Sequence, residues 1–190
     1  MKIAFNKNNY PQFSNFHPCK IEFDGNTWET VENIFQSRKT LDKEEQLSFL
    51  NIKPNIAKRK GRQVKMRPDW EAVKKDVMYE ACLAKFTQND SLRELLLSTG
   101  DALIVEDTSY WHDNIWGCCT CARCRVVNTS KNLLGVTLMR VRAALGGTSV
   151  GSFTFSGKKF EIDFAGKEYD ELNSTVQGRN TLAIVYRLGE

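Results

Sequence analysis

No apolar run in this chain approaches the roughly 20 residues that a membrane-spanning helix needs. Its start, Met1-Lys2-Ile3-Ala4-Phe5-Asn6, has no apolar core of the kind a signal peptide carries. Together these absences predict a cytoplasmic protein with no membrane partner. Strong charge of one sign is also lacking: 27 Lys and Arg against 23 Asp and Glu leave +4, well short of a nucleic-acid coat protein. A phosphate-bearing ligand or a local basic groove stays open. Repeats and low-complexity runs are missing, and Gly146-Gly147 is the single boundary signal. Cysteines spaced for disulfides are missing too. Of six, four crowd into Cys118, Cys119, Cys121 and Cys124, too close for easy bridging, which fits reduced thiols or metal ligation.

What is present suits one main domain, since 190 residues can bury a sizeable core. Residues 3–5 and 20–23 read as short strands. The second leads into Asp24-Gly25-Asn26 and Thr27-Trp28-Glu29, a hairpin signal, so a small antiparallel sheet is expected to start the fold. From Thr30, a suitable N-cap, the spacing of Val31, Ile34, Phe35 and Arg38 predicts a helix to about residue 41. Further helices are expected at 43–50, 56–62, 70–86, 91–97 and 134–145, between Asn, Asp, Pro and Gly breakers. After the diglycine, Phe153, Phe155, Phe160, Ile162 and Phe164 alternate with polar residues, and 181–186 forms an apolar run that reads as strand. Residues 147–190 are therefore expected to be a β-rich extension that caps the sheet or mediates dimers, on an α+β, helix-rich domain of residues 1–146.

Glu32, Gln36 and Lys39 stand at i, i+4 and i+7, so a carboxylate, an amide and an amine share one helix face. A solvated face with an ordinary charge pair produces the same spacing. Each of Trp28, Trp70, Trp111 and Trp116 is by itself a packing residue, but Asp69 precedes Trp70 and Asp113 lies just before Trp116 in segments suited to holding a ligand. Lys58-Arg59-Lys60-Gly61-Arg62 sets four cations around a glycine, a phosphate receptor or a solvated surface. Cys119, Cys121 and Cys124 give three thiolates at ligand-like spacing, and Cys118, His112, His17 or Cys19 could complete a tetrahedral zinc site. The alternative is a set of reduced thiols in a loop.

Seven segments, in order, carry a family resemblance. They are Phe13-Ser14-Asn15-Phe16, the stretch from Val31 to Lys39, Gly61-Arg62, Arg67-Pro68-Asp69-Trp70-Glu71, Ala84-Lys85-Phe86, Asp113-Asn114-Ile115-Trp116-Gly117, and Asn132-Leu133-Leu134-Gly135 with Leu138-Met139. With these the chain resembles the NADAR (NAD and ADP-ribose associated) family, also called YbiA-like, over about residues 3 to 146. Asn33 and Ser37 depart from the family's common His and Ala, and neither removes a proposed catalytic group. The resemblance implies a helix-rich α+β fold and hydrolysis of N-glycosidic bonds. Its substrates would be ADP-ribose on guanine bases or phosphorylated riboflavin-pathway intermediates. It places Glu32, Trp70, Asp113 and Trp116 in the active site and Lys39 and Asn15 in the pocket; Gln36, Arg62, Gly117 and Asn132 are added as substrate contacts. In the family the stretch holding the cysteines is a variable loop, so the shared chemistry does not need them. No cofactor is expected for catalysis, and zinc, if held, would be structural.

Cleaving a ribosyl C–N bond builds positive charge on the anomeric carbon and negative charge on the departing base, so nearby carboxylates stabilise the transition state. Glu32 is expected to orient or deprotonate water, with Asp113 holding ribose hydroxyls or assisting the base. Lys39 offers a second route, a Schiff base with the opened sugar. Trp70 and Trp116 would wall the base and sugar, and Arg62 would meet a phosphate. Two rival readings use the same residues: an ADP-ribose or NAD-binding module that cleaves nothing, and a nucleic-acid-binding protein built on the basic run and the cysteines. ADP-ribosylated nucleic acid as substrate would merge the last with the first.

Overall fold

The computed structural model describes residues 1–127, 130–166 and 181–187. The chain forms two compact units, Ser14–Leu95 and Met1–Phe13 with Leu96–Glu190. Mixed helix and small sheets match the expected α+β class.

The Ser14–Leu95 unit opens with the predicted hairpin. Strand β2 (Ile21–Phe23) pairs antiparallel with β3 (Asn26–Trp28), Ile21 opposite Trp28. Asp24 and Gly25 turn the chain with φ of 48° and 73°, the pair of left-handed residues that a two-residue primed turn demands. Helix α1 (Val31–Ser37) begins where expected, with Thr30 Oγ1 accepting the Asn33 N–H at 3.1 Å. It stops at Ser37 rather than near residue 41. The Lys39 N–H reaches back to Gln36 O at 3.3 Å, an i→i+3 bond that tightens the last turn and ends the helix. Every residue of α1 is buried, so the charge-pair stripe is not a solvated face. Helices α2 (Lys43–Leu47), capped by Asp42, and α3 (Pro54–Lys60), with proline at its first position, follow. The long α4 (Trp70–Gln88) comes next, then α5 (Asp90–Ser98), in which the unit ends at Leu95; α1 packs on α3 and α4.

In the other unit, β1 (Lys2–Phe5) pairs parallel with β4 (Leu103–Glu106), Lys2 opposite Leu103, instead of joining the hairpin that follows it in sequence. Helix α6 spans Ala122–Val127, and α7 (Leu133–Ala144) lies on β4. The alternating aromatics form the hairpin β5 (Val150–Phe155) and β6 (Lys158–Asp163), and an Ala102–Ser152 bridge brings β5 alongside the start of β4. Gly151 lets the strands approach there: a Cβ would stand 2.8 Å from Leu103 Cδ1 and Phe164 Cε2, which would have to shift. The run at 181–186 is helix α8 (Thr181–Arg187), not the expected strand. Leu182, Ala183, Val185 and Tyr186 are buried while Ile184 is exposed, a helical rhythm, and packing of that face outweighs the β-branched propensity of Ile184-Val185. Arg142 is wholly buried in this unit and donates to Thr99 Oγ1, Ala102 O, Thr148 O and Val150 O at 2.6–3.0 Å; burial pulls its pKa down to about 10. Among the described residues no helix is long and apolar enough to cross a membrane.

Candidate active site

The Ser14–Leu95 unit holds six of the predicted residues: Asn15, Glu32, Gln36, Lys39, Arg62 and Trp70. Glu32 lies in the first turn of α1 with only 5% of its surface exposed. Its own N–H donates to Asn15 O at 3.0 Å, which ties the start of the helix to the preceding loop. One helical turn later, Gln36 Nε2 donates to Glu32 Oε1 at 2.9 Å. The Gln36 amide is held against Gly61. A Cβ on Gly61 would lie 2.0 Å from Gln36 Oε1, so glycine is the residue that leaves room for the amide. That Oε1 is buried without a hydrogen-bond partner among the described residues, an acceptor left over in a polar niche.

Lys39 follows α1 and is half-buried. Its ammonium lies 5.9 Å from the centre of the Trp70 ring and 6.0 Å from that of Phe35, and the two rings meet at 5.0 Å with a 59° tilt. Burial pushes the Lys39 pKa down; the Glu32 charge opposes the shift, and the Arg62 and Lys58 cations add to it. The Arg67 N–H donates to Lys39 O at 2.7 Å, fastening this turn to the segment that opens α4 at Trp70. Arg62 is exposed, and Lys58 sits over the Phe16 ring at 5.7 Å. Buried Asn15 has soft partners: Nδ2 meets Met78 Sδ at 3.3 Å, and Cys82 Sγ meets Oδ1 at 3.9 Å. A carboxylate, an amide and an amine with an aromatic wall can position water and take up its proton.

Lys85 is a residue to which the sequence assigned no role. It is 1% exposed, donates to Ser14 O at 2.9 Å, and burial lowers its pKa to about 8. Its place beside the Asn15 loop shows that a cation is held inside the fold; in the sequence the signal is its position in the family-like segment Ala84-Lys85-Phe86.

Asp113, Trp116, Gly117 and Asn132 lie in the other unit. Asp113 Oδ1 accepts the N–H groups of Ile115 and Trp116 at 2.8 and 2.9 Å, so that oxygen closes a turn and Oδ2 is what remains for a ligand. A Cβ on Gly117 would stand 2.2 Å from Thr108 Cγ2 and 2.8 Å from Glu106 O. Asn132 is left-handed (φ 50°) and fully buried at the start of α7; its Oδ1 accepts from Glu106 N at 3.0 Å and its Nδ2 donates to Ile104 O at 2.9 Å. Both ends of that amide serve the edge of β4.

His112, Cys119, Cys121 and Cys124 form a cluster that could hold a metal, their ligand atoms all within 4.8 Å of one another. His112 is thus the fourth member; Cys118 instead pairs its backbone with Glu106 and Thr108. The Cys124 N–H donates to Cys121 Sγ at 3.4 Å, which favours the thiolate and holds Cys121 down to about 6.

Relatives give the chain a reaction class. It is 40% identical over 142 residues, 72% of this chain and 82% of the relative, to the N-glycosidase YbiA of Shigella flexneri. It is 34% identical over 154 residues, 72% of this chain and 23% of the relative, to the chloroplastic riboflavin biosynthesis protein PYRR of Zea mays. The solved NMR structure of YbiA from E. coli superposes with a TM-score of 0.66 at 36% identity, covering 77% of this chain and 87% of that one. The protein is an N-glycosidase, an enzyme of the hydrolase class. The NADAR domain matches residues 4–146, and the chain belongs to that family.

Proposed function

We propose that this enzyme hydrolyses the ribosyl C–N bond of an ADP-ribosylated base or of a related N-ribosylated phosphate metabolite, with Glu32 as the base. The observation that carries the reading is the buried Glu32–Gln36 pair at 2.9 Å beside half-buried Lys39. Burying a carboxylate is costly unless it is paired, so such a group persists where its charge is used. Glu32 takes a proton from water as the water oxygen bonds to the anomeric carbon. The C–N electron pair leaves with the base, which is then protonated. Trp70 supplies a ring face to base or sugar, and Asn15 and the spare Gln36 acceptor face polar groups of the substrate. Exposed Arg62 receives a phosphate. Asp113 offers Oδ2 to ribose hydroxyls or to the leaving base, Trp116 offers its indole, and Gly117 and Asn132 shape their loop.

The bond cleavage needs no cofactor, and a metal on the cysteine cluster would be structural. Residues 1–146 act as the catalytic domain and 147–190 as an extension, in the cytoplasm, on substrates that include ADP-ribosylated nucleic acid. The relative named for riboflavin biosynthesis supports the smaller metabolite as the other substrate class. A panel of N-ribosylated compounds, with released bases separated by chromatography, tests the proposal. Release of free base from one class is expected, and release from none contradicts it.

The lowered pKa of Lys39 favours one second reading, in which its neutral amine attacks the opened sugar and forms a Schiff base. Borohydride reduction during turnover separates the routes.

A further inference from the structure

The loop between β4 and α7 carries chemistry that bond cleavage does not use. His112 Nδ1 lies 3.2 Å from Cys119 Sγ, 3.5 Å from Cys121 Sγ and 3.8 Å from Cys124 Sγ. A zinc ion about 2.3 Å from each sulfur and about 2.0 Å from nitrogen sets tetrahedron edges of roughly 3.5–3.8 Å. The three distances from His112 lie close to those edges, and all four ligand atoms stand within 4.8 Å of one another, near enough for one ion to draw them in. All six cysteines are free thiols, so none of the three is spent in a disulfide. Three thiolates and one imidazole select a soft, tetrahedral cation over calcium or magnesium, and a full set of four protein ligands leaves no open position for substrate.

We propose that His112, Cys119, Cys121 and Cys124 hold one structural zinc ion, and that Arg187 of α8 is the positioning residue that locks the ligand loop around it. Three thiolates against one divalent cation leave excess negative charge, which the surroundings offset. The Cys124 N–H points at Cys121 Sγ. The Arg187 guanidinium donates to Cys119 O at 3.4 Å, Cys124 O at 3.3 Å and Ser130 Oγ at 2.9 Å, so a cation grips the backbone of two ligands. His112 is held in the left-handed region (φ 58°), a conformation that a non-glycine residue keeps only where its surroundings enforce it. Asn114 Oδ1 accepts the Cys119 N–H at 3.1 Å and the Ser130 hydroxyl at 2.5 Å, tying the cluster to the turn that carries Asp113 and Trp116. The ion would thus fix that turn, and α8, which lies past the NADAR match, would be fastened to it.

The test is made on the full chain, purified under reducing conditions without chelator, and it holds whatever bond the enzyme cleaves. Elemental analysis is expected to give one zinc per chain, and cobalt substitution to give the visible bands of a tetrahedral thiolate site. Cys121→Ser should lose both, while Cys19→Ser, outside the cluster, keeps both. In competition with a chromophoric chelator, Arg187→Ala is expected to bind zinc about 10–100-fold more weakly, with the melting temperature of the zinc-free protein unchanged. Zinc far below one per chain, with no cobalt spectrum from the wild type, would overturn the site. Unaltered zinc affinity in Arg187→Ala would overturn the role given to α8.

Discussion

Gly61→Ala probes how Glu32 is held without touching it. Gly61 has ordinary right-handed angles (φ −63°, ψ −8°) at the end of α3, so alanine meets no backbone obstacle and on helix propensity alone would gain about 1 kcal/mol. The new methyl carbon, however, would lie 2.0 Å from Gln36 Oε1, 2.9 Å from its Cδ and 3.1 Å from its Cβ. The amide must swing away inside a buried niche and give up its bond to Glu32. Overpacking costs roughly 1–3 kcal/mol and a lost bond to a carboxylate about 1.5–3, so after the propensity gain the net destabilisation is about 1.5–5 kcal/mol. Urea unfolding of Gly61→Ala, Gln36→Ala and the double variant measures it. In the Gln36→Ala background the Gly61→Ala change should cost almost nothing, and turnover should fall in all three variants. An equal cost in both backgrounds, or a Gly61→Ala protein as stable and active as wild type, would show that Gly61 does not make room for the Gln36 amide.

Three further outcomes are expected. Lys85 loses its proton near pH 8 in the folded protein against 10.5 when unfolded, so between these values the unfolded chain holds the extra proton and stability rises with pH. The burial cost, on the order of 3 kcal/mol, is present in full below that window. The unfolding free energy of wild type should therefore gain about 2–3 kcal/mol on Lys85→Met between about pH 7 and pH 10.5, and a constant difference would contradict it. Asn132→Ala removes the amide that serves Glu106 N and Ile104 O and should cost about 2–5 kcal/mol in urea unfolding; a loss under 1 kcal/mol would show that the splice is dispensable. With Glu32 as base, borohydride added during turnover leaves the enzyme active, whereas inactivation with a mass increment on Lys39 would move the nucleophile there.

Local signals in the sequence carried much of the fold. Asp24-Gly25 marks the β2–β3 turn, Thr30 caps α1, and the alternating phenylalanines mark β5 and β6. The errors came where packing decides. Leu103-Ile104-Val105 is buried throughout and shows no alternation that would mark β4. Its pairing with β1 joins residues about a hundred positions apart, which local propensity cannot show. Thr181–Arg187 carries β-branched residues yet winds into a helix because its buried residues recur at helical spacing. At the site, the spacing of Glu32 and Gln36 put them on one helix face, but did not show their hydrogen bond, nor that all of α1 is buried, nor that Gly61 makes room for the amide. The thiol spacing pointed to a metal cluster, and only the folded loop picks His112 from the four residues that could complete it.

In the proposed reaction the Glu32 carboxylate does the proton transfer. Glu32→Gln is nearly isosteric, and its new carbonyl can still accept the Gln36 amide that now lies at 2.9 Å, so the fold and melting temperature should hold. Turnover on an ADP-ribosylated or ribosyl-amine substrate should fall by about 10²–10⁴-fold, the usual contribution of a general base. A folded Glu32→Gln enzyme that releases base at close to the wild-type rate would contradict the account.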